Sequence, residues 1–93
     1  MKRYDARTDA NQPEIVEVLR GVGAKVWYIW RPLDLLVAFR GVFYVLEVKI
    51  PGERPSAKQR KTIAEMEECG CPVHVVWCVG DALRAIGAIG VDK

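Results

Sequence analysis

The sequence predicts an α/β fold, a mixed central sheet with helices on both faces, in the order helix, three strands, helix, strand. Three observations predict it. Residues 31–49 read as two strands joined by a tight Gly turn, apolar on both faces, with Leu35, Val37, Phe39, Tyr44, Leu46 and Val48 on one side and Leu36, Ala38, Phe43 and Val45 on the other. Such strands lie centrally and are covered by helices on both sides. The Val-rich run Pro72–Cys78 follows a helical stretch, so it joins the sheet by a crossover, parallel to an earlier strand. Residues 11–20 and 56–68 carry apolar side chains at helical spacing. A chain of 93 residues has room for a single core and reads as one domain, with residues 1–10 a polar arm and 88–93 a tail.

In chain order, Asn11 with Glu14 makes a capping-box pattern, and Pro13 is tolerated in the first helical turn, where its missing N–H costs nothing. Ile15, Val16, Leu19 and Val22 form the buried stripe of that helix, and Gly21 with Gly23 stops it. Lys25–Trp30 is β-branched and aromatic, hence a strand. Its aromatics have the chemistry of base stacking, but alternation, Trp27 with Ile29 and Tyr28 with Trp30, makes core and sheet surface the simpler reading. Ile50–Pro55 holds two prolines and a glycine and is a loop. Ser56 reads as the N-cap of the second helix, with Gln59 completing a capping box. Gln59, Ile63 and Met66 share its inward stripe. Gly80-Asp81 opens a closing helix over Ala82–Ile86.

The charges of the hairpin carry the functional argument. Asp34, Glu47 and Lys49 are its interior charges, and all three lie at the end far from the turn. A turn at Gly41-Val42, with Gly first as a type II′ loop prefers, places Asp34 opposite Lys49; a turn at Arg40-Gly41 places it opposite Glu47. Either register sends all three side chains to one face. Two carboxylates this close on apolar strands repel each other and lose hydration. A hard divalent cation removes the conflict. Mg²⁺ takes oxygen ligands and keeps several waters, so Asp34, Glu47 and the Val48 carbonyl make an open site, with Lys49 beside an attacking water. The plainer reading is an internal salt bridge, Lys49 neutralising one carboxylate near solvent.

An Asp starting one strand and Glu47-Val48-Lys49 ending the next resemble the PD-(D/E)XK nuclease signature, and nearly the whole chain resembles small stand-alone VRR-NUC nucleases of phages and bacteria. The Pro-Asp pair of that signature is interrupted here as Pro32-Leu33-Asp34. The resemblance implies a restriction-endonuclease-like αβββαβ core. It also implies a Mg²⁺-dependent, structure-selective DNA endonuclease that accepts Mn²⁺, acts on branched substrates such as four-way junctions in recombination or repair, and works as a homodimer. It implies roles for two further residues. Glu14 either extends the metal site from the first helix or caps that helix with Asn11. Gln59 either supports Lys49 and the attacking water or serves only as a cap. Lys58, Arg60 and Lys61, beside the proposed site, and Arg7 in the arm are the candidate phosphate contacts. The alternative is a nuclease-like fold kept as a non-catalytic DNA-binding or assembly module.

Lys and Arg number 14 against 12 Asp and Glu, so net charge argues neither for nor against nucleic acid. Cys69, Cys71 and Cys78 form an odd set that suits reduced thiols. With His74 they offer a zinc reading, although the spacing lacks the usual two-residue knuckle. No apolar run reaches membrane-spanning length and no signal-peptide stretch follows the N-terminus, so a cytoplasmic protein of a bacterial cell or its phage is expected.

Overall fold

The computed structural model describes residues 10–89; Arg7, nearly all of the polar arm and the end of the tail lie outside the described residues. Its elements are α1 (Gln12–Gly21), β1 (Lys25–Tyr28), β2 (Leu35–Phe39), β3 (Val42–Val48), α2 (Ala57–Glu68), β4 (Val73–Val76) and α3 (Val79–Ala85). The sheet order is β1-β2-β3-β4, with β1, β2 and β3 antiparallel and β4 parallel to β3, as the α2 crossover requires. Among the described residues no helix is long and apolar enough to cross a membrane.

The hairpin turns at Arg40-Gly41, not at Gly41-Val42: Phe39 faces Val42 and Leu35 faces Leu46. The reason lies in backbone twist. Arg40 and Gly41 both take positive φ, 51° and 83°, the pairing whose twist matches the flanking strands. A β-branched Val42 at a turn position would forfeit its place in the ladder. The Arg40 guanidinium rests 4.6 Å from the centroid of Phe39, a cation–π contact that offsets part of the left-handed backbone's cost. Continued by one step, this register sets Asp34 opposite Glu47 rather than opposite Lys49.

Helix α1 presents Gln12, Ile15, Val16 and Leu19 to the sheet, residues at i, i+3, i+4 and i+7. They pack with Val26, Leu35, Val37, Leu46, Val48 and Val76 from the strands and with Ala82 and Ile86 from the α3 end, forming one apolar core on that face. The opposite face is covered less fully than two-sided helical packing predicts. Helix α2 lies there and contributes no fully buried side chain, while Trp27 and Phe43 remain 49% and 68% exposed.

The expected Asn11–Glu14 capping box does not form, because the Asn11 side chain is used elsewhere. Its amide Nδ2 donates to the Lys49 carbonyl at 3.1 Å and to the Trp77 carbonyl at 2.9 Å. The start of α1 thus clasps the adjacent ends of β3 and β4. Asn11→Ala should destabilise the fold by about 1–3 kcal/mol through loss of donors to two part-buried carbonyls, whereas Glu14→Ala should change it by under about 0.5 kcal/mol. Urea denaturation of both variants checks the contrast.

Candidate active site

The acidic pair is assembled by strand geometry. Glu47 is the penultimate residue of β3, and Asp34 immediately precedes β2, facing it across the hairpin. Along an extended strand the N–H and C=O of one residue point to the same side, and successive residues alternate. The Lys49 N–H donates to the Val76 carbonyl at 2.9 Å, toward β4. The N–H and carbonyl of Val48 therefore point the other way, toward β2, and that N–H donates to Asp34 Oδ2 at 2.8 Å. Asp34 so takes the place of a backbone acceptor where the ladder ends, and the Val48 carbonyl opens on the same side.

Glu47 is 1% exposed, an unusual position for a carboxylate without full pairing. Its Oε2 accepts from Gln59 Nε2 at 2.5 Å and lies 3.5 Å from Lys49 Nζ. Its Oε1 is buried and has no hydrogen-bond partner among the described residues. Burial pushes the Glu47 carboxyl up to about 7; the neighbouring Asp34 charge adds to the rise and Lys49 opposes it. Lys49 stands at salt-bridge distance from Glu47 Oε2, on the carboxylate oxygen that Gln59 also reaches.

Gln59 takes the cap role, and its side chain also reaches Glu47 rather than Lys49. Ser56 and Gln59 form a reciprocal capping box, in which Gln59 N–H donates to Ser56 Oγ at 3.1 Å and Ser56 N–H donates to Gln59 Oε1 at 2.9 Å. With Oε1 committed to the cap, the amide nitrogen is left to donate to Glu47. The N-terminus of α2 thereby orients the buried carboxylate, and α2 is tied to β3 through it.

Other sequence-predicted residues fall outside this cluster. Glu14 is exposed on α1, two positions from the inward Gln12 and so on the other side of a helix with 3.6 residues per turn; no third His, Cys, Asp or Glu among the described residues joins Asp34 and Glu47 in a metal-holding group. Lys58, Arg60 and Lys61 are exposed on the first turns of α2. Arg60 donates back to the Pro55 carbonyl at 2.7 Å, and Lys61 lies 4.0 Å from Glu65. The zinc reading fails: Cys69, Cys71 and Cys78 are exposed free thiols, and His74 sits half-buried beside Tyr44 on the core side of β4. Alternation along β4 separates His74 from the turn that carries Cys69 and Cys71.

Asn11 and Gln12 are the neighbours that sequence reasoning missed. Gln12 is 1% exposed with an unpartnered Nε2 among the described residues, and the Oδ1 of Asn11 is likewise buried and unpartnered. The signal was present in the apolar spacing, since Gln12 occupies the first position of the stripe completed by Ile15, Val16 and Leu19.

No protein-family model matches the chain, and no curated protein matches it by sequence. A solved structure described as a VRR_NUC domain does match, at 26% identity and a TM-score of 0.68, over 81% of this chain and 88% of that one. Sheet order, hairpin and crossover helix thus agree with that likeness, and the chain has a VRR-NUC nuclease-like fold of the restriction-endonuclease-like type.

Proposed function

We propose that the protein is a Mg²⁺-dependent DNA endonuclease that hydrolyses phosphodiester bonds of branched DNA. The observation that carries this reading is Glu47: a carboxylate 1% exposed, with one oxygen lacking a hydrogen-bond partner among the described residues, facing a second carboxylate across the hairpin. The donor set is all oxygen, which suits Mg²⁺ and tolerates Mn²⁺. Asp34, Glu47 and the Val48 carbonyl would hold the ion. When bound, it supplies positive charge to a phosphoryl oxygen and acidifies water. The chain's own residues do the rest. Lys49, 17% exposed at its side chain, sits at the boundary between the buried carboxylates and solvent, where its amine orients the incoming water and balances charge developing on phosphorus. Gln59 keeps Glu47 in one rotamer. Lys58, Arg60 and Lys61 meet the DNA backbone, with Arg7 as a further contact from the arm. A symmetric four-way junction would require two such sites, hence a two-fold homodimer, in the cytoplasm of a bacterial cell and encoded by the host or a phage.

One observation favours a second reading. Lys49 already pairs with Glu47, and no third acid joins the cluster among the described residues, so a non-catalytic DNA-binding or assembly module is the alternative. Labelled four-way, splayed and linear DNA incubated with Mg²⁺, Mn²⁺ or chelator separates the two. The nuclease reading expects divalent-dependent cleavage of the branched forms and, in Lys49→Ala, a rate lower by about a hundredfold or more. Metal-independent binding with no cleavage in any lane would establish the module instead.

A further inference from the structure

Trp30 lies beyond the end of β1, on the side of Tyr28 with which the alternating pattern paired it. It follows β1 with a φ of 63°, a left-handed conformation that bulky side chains avoid, and it is 55% exposed. Its ring is nevertheless fixed. The indole stacks on Tyr28 with centroids 5.2 Å apart and planes inclined by 24°. Tyr28 pairs with Leu35 and packs on the core, so the stacked rings lie on the sheet face opposite Glu47, with one indole face turned to Tyr28.

The position of this ring is set by a short loop. The Ile29 N–H donates to the Asp34 carbonyl at 2.9 Å, closing Trp30–Leu33 between them. With adjacent Cα atoms about 3.8 Å apart and paired strands about 5 Å apart, the Trp30 backbone lies within roughly 10 Å of Asp34. That is about three nucleotide steps at the axial rise of one DNA strand. Next to it Arg31 is exposed and makes no ion pair among the described residues. A flat aromatic face held rigid beside a cation matches a nucleobase and its phosphate better than it matches an apolar protein partner.

We propose that Trp30 is a base-stacking platform, on which a nucleobase displaced from the helical stack near the strand ends that carry Asp34 lies against the exposed indole. This deepens the nuclease reading and rests on it for the identity of the ligand. The Tyr28 stack and the constrained backbone hold the indole before DNA arrives, which lowers the ordering cost of binding. Fully paired duplex offers no free base face near the cut, so the platform selects substrates with unpaired nucleotides at a branch.

The test uses the full chain in chelator, so that hydrolysis plays no part. Affinities for a labelled single strand, a splayed fork and a blunt duplex are compared for wild type, Trp30→Ala, Trp30→Phe and Trp27→Ala. The proposal expects Trp30→Ala to weaken the strand and fork about tenfold and the duplex less than about twofold, with Trp30→Phe within about threefold of wild type and Trp27→Ala unaffected. Equal losses on all three DNAs, no loss on any, or wild type binding none of them would overturn it. Photocrosslinking of 5-iodouracil at the unpaired positions to wild type needs no variant to fold: attachment at Trp30 supports the platform, and attachment elsewhere or nowhere overturns it. A protein that shows the Trp30 effect but cleaves nothing with Mg²⁺ would refute the nuclease reading and leave the platform standing.

Discussion

Glu47→Gln should abolish divalent-dependent cleavage, by a thousandfold or more, and at the same time make the metal-free protein more stable at pH 8. The two effects have one cause. The carboxylate is buried beside Asp34, where desolvation and like charge favour its neutral form. A glutamine of the same shape retains an acceptor for Gln59 and Lys49 and adds a donor facing the acidic neighbour. Removing the buried charge should therefore stabilise by about 1–3 kcal/mol, several degrees in Tm for a domain of this size. Thermal melts and cleavage rates on the same samples check the pair. A variant that loses both stability and activity would show that the buried carboxylate is structural.

Stability without divalent ions should fall as pH rises from about 4.5 to about 7 and then level. The sign follows from proton counts. Glu47 moves from an ordinary 4.5 to about 7 in the fold, so between those values the folded state holds a proton that the unfolded chain has released, and each pH unit upward favours unfolding. The full shift corresponds to roughly 3 kcal/mol. Asp81 works in the opposite direction and in another window. Its carboxyl, held below the usual 3.8 chiefly by accepting the Trp77 N–H, contributes stability that is present above 3.8 and lost only on further acidification. On the proposed reading Mg²⁺ should flatten the slope, stabilising the protein at pH 8 and hardly at pH 5, because only an ionised Glu47 would hold the ion. Chemical denaturation at fixed temperature across this range, with Mg²⁺ and with chelator, measures it. A slope unchanged by Mg²⁺ would argue against an ion at this pair.

Much of this site was legible in the sequence because strand geometry is strict. Side chains alternate with period two, so Asp34, Glu47 and Lys49 share a face under either of the two turn placements, and the register error of two residues left the conclusion intact. Ser56 and Gln59 were legible for a similar reason: a capping box is local and needs no tertiary information. Asn11 and Glu14 carry the same local pattern, yet tertiary competition wins, since two carbonyls brought from Lys49 and Trp77 take the Asn11 amide. Nothing near Asn11 in sequence announces those partners. The pairing of Trp30 with Tyr28 was legible too, while its exposure was not, because alternation foretells burial only while the strand continues, and β1 ends at Tyr28.

The Asn11 amide also sets an order of events during synthesis. Its two acceptors stand 38 and 66 residues further along the chain, so a nascent polypeptide still short of Trp77 has the hairpin's acids but not the clasp. Closure of the α1 start over the ends of β3 and β4 should therefore arrive abruptly, once Trp77 has left the ribosome, rather than growing as each segment emerges.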